Sequence, residues 1–280
     1  MPVMPYEPRL RLTDLYGVPW NLSSPTCPVR LKTVKGIDGA EFELDTTTGV
    51  GQAGVSVVGR DDKESVIELE VWVGPVLPGN DALDLLRRWR KGLGRGWARD
   101  GKLMRLEALA TGRFVEVRLA AKPETPLYST MFHVGRCADA VKLMSDESWW
   151  RKKPFDKTFP SSQFGFGSIT VGNEGDESSW PWYRITGPIS NITIGMAGET
   201  VTLPASCNLT AGQTLDIDTD PDRWSVKHSA SGDRTWKVGQ RWRVKAPAEN
   251  LQIPVTITGT GITSATSLRV VVPQLFHAAL

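Results

Sequence analysis

Ser65-Val66-Ile67-Glu68-Leu69-Glu70-Val71-Trp72-Val73 decides the fold class, because its apolar and polar residues alternate with period two. Ile67, Leu69, Val71 and Val73 then share one face of a half-buried strand. Outward from it the same pattern recurs. Ala40-Glu41-Phe42-Glu43-Leu44-Asp45 alternates as a half-buried strand. Leu103–Leu109 and Phe114–Leu119 make two arms of a hairpin turned at Ala110-Thr111-Gly112-Arg113. A single helix interrupts them, Asp81 to Lys91, with Ala82, Leu85, Leu86 and Trp89 on one face. Asn80 is placed to cap it, Asp81 and Asp84 suit its first turn, and Gly92 is placed to close it.

Beyond about residue 160 the charged residues thin out and short β-branched runs take over: Trp182–Pro188, Asn191–Ile194, Thr200–Leu203, Thr214–Asp218 and Ile253–Thr258. Ala197-Gly198-Glu199-Thr200-Val201-Thr202-Leu203 echoes Ala211-Gly212-Gln213-Thr214-Leu215-Asp216-Ile217, two turn-plus-strand units of one sandwich. The stretch Pro160-Ser161-Ser162-Gln163-Phe164-Gly165-Phe166-Gly167 reads as the linker. The expected organisation is therefore mainly β. Residues 1–160 form a β-rich domain, a sandwich with one helix at 81–91, and residues 161–280 a second β-sandwich.

The 280 residues carry 33 Lys+Arg against 31 Asp+Glu, so the net charge of +2 gives no electrostatic case for a dedicated nucleic-acid binder. No apolar run approaches the roughly 18 residues of a membrane helix, and Met1–Pro8 lacks the pattern of a signal peptide. Cys27, Cys137 and Cys207 are odd in number and far apart, which argues for buried thiols rather than a disulfide framework or a zinc site. Eleven tryptophans are the compositional oddity, expected as core or interface anchors.

Motifs with chemical potential fail on context. Gly49-Val50-Gly51-Gln52-Ala53-Gly54 fits GxGxxG, but the β-branched run Val55–Val58 follows where a nucleotide fingerprint needs a helix. Gly92-Leu93-Gly94-Arg95-Gly96 lacks a phosphate loop's Lys-Ser/Thr. Asp216, Asp218, Asp220 and Asp222 alternate, but Pro221 and Lys227 stand where a calcium loop wants Gly and Glu, so turn chemistry is expected. His228 beside Ser229 and Ser231 is no triad, and no catalytic residue, cofactor or metal is expected. Asn191-Ile192-Thr193 and Asn208-Leu209-Thr210 are glycan sequons only by formula. The basic run Arg87, Arg88, Arg90, Lys91, Arg95, Arg99, Lys102 and Arg105 reads as a solvated or subunit-facing surface. Prolines 2, 5, 8 and 19 suit an extended amino-terminal arm.

Val171-Gly172-Asn173-Glu174-Gly175-Asp176, followed by Trp180–Pro188 and then Ala211–Thr219, resembles the carboxy-terminal domain of siphophage distal tail proteins. Glu147-Ser148-Trp149-Trp150-Arg151 resembles the acidic-aromatic segment that closes the first domain in tail proteins of actinobacterial phages. The resemblance covers about residues 10–275. It implies a structural virion protein at the distal end of a long non-contractile tail, made in the host cytoplasm, with no membrane association. Its first domain would close a ring, expected as a hexamer, between the tail-tube protein and the tail-tip or baseplate hub. Genomic DNA would pass through the lumen without specific binding. Its second domain would be a galectin-like β-sandwich, although the sugar signatures of true galectins are absent. Trp224, Trp236 and Trp242 are the candidate carbohydrate or partner contacts. A carbohydrate-binding or host-receptor-binding module is the alternative, with a glycan-degrading enzyme as a third class that would need a carboxylate pair.

Overall fold

A computed structural model describes residues 9–96, 101–124 and 128–280, with only the backbone of residues 166–168. Positions 1–8, with three of the four arm prolines, and Arg99 lie outside the described residues. Pro19 opens a strand. The protein is mainly β and divides into two compact units: residues 1–150 with 277–280, and residues 151–276.

Unit 1 is an antiparallel sheet built from β1 (Leu10–Thr13), β2 (Pro19–Asn21), β3 (Val29–Lys35), β6 (Ser65–Val73), β7 (Met104–Ala108), β8 (Arg113–Leu119) and β9 (Cys137–Ser145). Its spatial order is β2-β1-β7-β8-β9-β6-β3. The two ends of that order meet where the Leu31 N–H donates to the Leu22 carbonyl at 2.7 Å. In β6 every second residue from Ser65 to Val73 is buried, as the alternation requires. The expected hairpin forms as β7 and β8, with Leu106 opposite Val115. β4 (Phe42–Thr47) and β5 (Ser56–Asp62) pair only with each other.

The helix α1 runs Asn80–Leu93, longer at both ends than expected. Gly79, not Asn80, stands at its amino end, and no side chain caps it. Gly94, with φ 71°, ends it in place of Gly92. The reason is packing. Leu93 still falls on the buried face, so the helix continues through Gly92. A Cβ on Gly92 would lie 2.4 Å from Asp14 Oδ2, so that turn has no room for a side chain. A second helix, α2 (Tyr128–Val134), was not expected. It buries only Met131, and one buried residue leaves no readable period.

Two buried carboxylates fasten α1. Asp139 accepts from Trp89 Nε1 at 2.9 Å and Arg90 Nε at 2.7 Å, and burial pushes its pKa up despite the guanidinium beside it. Asp14 accepts from Trp20 Nε1 at 3.0 Å. The two indoles meet edge to face, 5.5 Å between centroids. Nothing in the local sequence around Asp14 or Asp139 announces this pairing of distant residues.

Unit 2 is a two-sheet sandwich. One sheet contains β10 (Trp150–Pro160), β12 (Trp182–Thr186), β15 (Thr214–Asp218), β16 (Ser225–His228), β17 (Gly232–Asp233) and β19 (Ser267–Phe276), in the order β17-β16-β15-β12-β19-β10. The other is β11-β18-β13-β14, from β11 (Gly165–Asn173), β13 (Ser190–Met196), β14 (Val201–Thr202) and β18 (Asn250–Thr260). Ile185, Leu215, Leu268 and Val270 from the first sheet share one core with Ile194, Val255 and Ile257 from the second. The two echoing units end up in different sheets: one turn leads into β14 and the other into β15.

The division between units differs from the expected one. It falls at Trp150/Arg151, within the Glu147–Arg151 segment, whereas Pro160–Gly167 covers the end of β10, the turn at Ser161–Phe164 and the start of β11, all inside unit 2. Pro, Ser and Gly signal a reversal of the chain, and that signal is the same inside a sandwich as between domains. Residues 277–280 also belong to unit 1: Ala279 N–H donates to the Ile37 carbonyl, and Arg113 donates to the Ala278 carbonyl at 2.9 Å.

Candidate assembly surfaces

The residues that carry the family resemblance are fastenings of unit 2. The Asn173 side chain is fully buried at the end of β11. Its Nδ2 donates to the carbonyls of Glu177 at 3.0 Å and Ala246 at 3.1 Å, while its Oδ1 accepts from Gly175 N–H at 2.9 Å. One side chain thereby ties the turn Asn173–Glu177 to the segment at Ala246, whose carbonyl also accepts from Ser179 N–H. A Cβ on Gly175 would sit 2.4 Å from the Leu275 carbonyl oxygen, which explains the glycine. Thr219, ending the Ile217-Asp218-Thr219 phrase, is buried and donates to the Pro181 carbonyl at 2.6 Å.

The motifs doubted as chemistry have structural places. Gly49–Gly54 lies in the connection between β4 and β5. Asp216 pairs with Arg184, with Oδ1 2.5 Å from Nε, and Asp220 pairs with Arg223 at 2.8 Å. His228 is buried, its Nδ1 accepting from the N–H groups of Ala230 and Ser231. Among the described residues no three His, Cys, Asp or Glu side chains gather to hold a metal ion. Likewise no described helix is long and apolar enough to cross a membrane. All three cysteines are free and burial raises each thiol's pKa; Cys137 and Cys207 are buried, but Cys27 is only half-buried, contrary to expectation. It sits in the turn where its N–H donates to the Ser24 carbonyl at 3.2 Å.

The basic run is largely satisfied within unit 1. Arg87 pairs with Asp84, Arg90 with Asp139, and Arg105 stacks on Phe114 at 3.7 Å, while Arg88 lies over Trp20 and Lys91 over Tyr16.

Three surfaces remain open. The first is the β4–β5 hairpin, where every residue of β4 is exposed, against the half-buried strand expected. Phe42, Leu44, Val55, Val57 and Val58 are each roughly half exposed or more. Leu44 opposes Arg60 and Thr46 opposes Val57 on one face, while Glu43 opposes Asp61 on the other. Between Glu41 and Glu64 the chain carries six carboxylates and two basic residues. The second surface gathers Leu77 with Tyr128, Phe132 and Val134 of α2, all exposed. It is held together by Gly79 N–H donating to the Phe132 carbonyl at 2.7 Å. Sequence reasoning missed it because α2 itself was missed.

The third is the tryptophan group in unit 2, which the structure separates. Trp242 is 3 % exposed and belongs to the core, whereas Trp224 is half-buried beneath Arg241, 4.4 Å from its ring. Trp236 alone stands out, at 77 % exposure, with Lys237 over its ring at 4.9 Å.

No protein-family model matches the chain, and no curated protein does. Solved structures do. The Dit protein of phage SPP1, described as a paradigm of the hub adsorption apparatus in phages infecting Gram-positive bacteria, matches with a TM-score of 0.66 at 10 % identity. The match spans 95 % of this chain and 99 % of that one. Chains of the phage P2 baseplate in its activated conformation match with a TM-score of 0.49 at 11 % identity, over 96 % and 98 % of the two chains. By its match to the SPP1 Dit protein, this chain has a Dit-like fold over 95 % of its length, and the resemblance to siphophage distal tail proteins read from Asn173–Asp176 and Trp180–Pro188 has its counterpart in three dimensions.

Proposed function

We propose that this protein is a structural component of a phage tail. It would form a ring of six-fold symmetry that joins the tail tube to the tail tip or baseplate. The observation that carries the reading is the β4–β5 hairpin. A two-stranded hairpin on its own is marginal in water, and this one leaves Phe42, Leu44, Val57 and Val58 exposed. An unsealed apolar hairpin of this kind marks an interaction surface. A ring needs two complementary patches on each protomer, repeated head to tail. The hairpin supplies one, and the patch of Leu77, Tyr128, Phe132 and Val134 supplies the other. The fold of unit 1 and its likeness to a Dit protein support the same assignment, as does the use of the signature residues as fastenings rather than as a reaction site. The partners are other copies of the chain, the tube protein and a hub protein, with DNA traversing the lumen unbound. The role is architectural and no reaction is assigned.

Native mass measurement of the purified protein tests the ring, and antibody labelling of virions tests the location. A hexamer, and label at the distal tail end, are expected. A strict monomer at micromolar concentration that also fails to assemble with tail tubes, or label on the capsid, overturns the reading.

A further inference from the structure

The Glu147–Arg151 segment carries two adjacent tryptophans with different surroundings. Trp150 is fully buried, whereas Trp149 is half-buried and belongs to none of the surfaces above. Its ring meets the imidazole of His277 at 63°, with 4.9 Å between centroids, and the Arg60 guanidinium of β5 lies over it at 5.6 Å. The same guanidinium lies 6.0 Å from the ring of Phe42 in β4. A stack of four side chains therefore runs from the carboxy-terminal segment to both strands of the exposed hairpin.

The main chain is held along the same route. Ser148 Oγ donates to the Lys63 carbonyl at 2.8 Å, and Lys63 N–H donates to the Glu41 carbonyl at 2.9 Å, one step below the Phe42–Asp62 pair. On the other arm of the stem, the N–H of buried Ala279 donates to the carbonyl of buried Ile37 at 2.8 Å. Gly39, with φ 130°, lies so close to this segment that a Cβ there would sit 3.0 Å from the His277 carbonyl oxygen. Residues 148–149 thus hold one arm of the hairpin stem and residues 277–279 the other. These are the places where the chain leaves unit 1 and returns to it, since unit 2 takes up the residues between.

We propose that these two chain crossings form a clamp that fixes the β4–β5 hairpin in the position from which it is presented. Trp149 and His277 are its positioning residues, acting on the hairpin through Arg60 and the stem. The physical need is plain. A two-stranded ribbon is marginal in water, and nothing described covers this one. A surface that meets a partner while still mobile must be ordered on binding, and a stem fixed in advance lowers that cost. Unit 2 is inserted in the chain between the two halves of the clamp, so the hairpin is anchored on the segments that carry unit 2. The proposal deepens the assembly reading of the hairpin. Its test is read within one protomer, so its failure is told apart from failure of the ring, which native mass decides.

The test is amide hydrogen exchange of the full chain, diluted until native mass shows the monomer and resolved to β4, β5, β6 and β9. Trp149→Ala should speed exchange in β4 and β5 about ten-fold, the combined size of an aromatic pair and an exposed cation–π contact. Exchange in β6 and β9 should stay within about two-fold of the parent, because the clamp governs a local opening and not the whole unit. His277→Ala should speed hairpin exchange about three-fold, and His277→Phe, which keeps a ring against Trp149, should restore the parent rate. If Trp149→Ala does not fold, the two His277 variants decide. Hairpin exchange that is unchanged in the alanine variants overturns the proposal. So does a rise shared equally by β6 and β9, or a phenylalanine variant that exchanges as fast as the alanine one.

Discussion

β4 and β19 (Phe42–Thr47 and Ser267–Phe276) are both pleated strands, and they meet opposite fates. In β19 every second residue from Leu268 to Phe276 is buried, and Leu268, Val270 and Val272 lie in the core shared with the opposing sheet. In β4 no residue is buried at all. Alternation is a property of the pleat, set by the geometry of one chain. Burial depends on whether a second layer lies over the face, and in unit 1 nothing described covers the hairpin. The difference between the two strands separates what this protein uses to fold from what it offers to a partner.

A matched pair of substitutions would break that comparison most sharply. Val270→Asp puts an unpaired carboxylate into a sealed core and should destabilise unit 2 by about 4 kcal/mol or more. Leu44→Asp makes the same kind of change on the hairpin and should alter monomer stability by no more than about 0.5 kcal/mol. Its effect should appear instead as loss of the oligomer in native mass spectra. Equal melting shifts for the two variants would mean that the hairpin is packed after all.

Next in size is Trp89→Ala, which removes a fully buried indole from α1 and should lower stability by about 3–5 kcal/mol in chemical denaturation. Part of that loss comes from Asp139, left with one donor fewer in a buried site. Asn173→Ala sharpens the comparison from the side of unit 2. It leaves the carbonyls of Glu177 and Ala246 without that donor and should cost about 2–3 kcal/mol. A Tm change near zero would show that the signature asparagine serves something other than the fold.

The smallest expected effect lies in the acid limb of stability. The Arg269 guanidinium holds the Asp156 carboxyl below the usual carboxylate range. A depressed folded-state pKa contributes stability that is present at neutral pH, above the unfolded value, and is lost as pH falls through the folded value. Both side chains are partly exposed, at 40 % and 33 %, so solvent and salt screen the pair. Asp156→Asn should therefore flatten the acid limb slightly, and added salt should do the same to the parent. A steep acid limb that survives the substitution would place its source in other carboxylates.

The strands β12, β15 and the middle of β18 were legible in the sequence because Trp182–Pro188, Thr214–Asp218 and Ile253–Thr258 carry the period that a covered face imposes, whereas β19, apolar on both faces at Val270-Val271-Val272, was not read as a strand. The hairpin of β7 and β8 was legible for the same reason, with a turn signal between its arms. The Asn-x-Gly phrase and the Thr-Gly-Pro phrase pointed to a family, and the structure gives them a physical content. Asn173 satisfies buried carbonyls, and a Cβ on Gly187 would meet the Thr210 carbonyl oxygen at 2.5 Å. The candidate contacts were legible only as a list. Trp224, Trp236 and Trp242 are alike as letters, and of the three only Trp236 stands exposed.

By itself, then, the sequence determined the strands with a clean alternation, the main helix, the charge balance and the family it resembles, since these depend on local pattern and on residues near one another in the chain, while strands without that alternation, such as β9, β10 and β19, were not read from it. Tertiary structure alone decided the rest. It moved the boundary to Trp150 and returned His277–Leu280 to unit 1, because compactness is a property of contacts and not of composition. It joined Trp20 to Asp14 and Trp89 to Asp139, extended α1 to Leu93 and left β4 uncovered. Each of these turns on which surfaces meet once the chain has folded back on itself, and a period in the sequence records that a face exists without recording what lies against it.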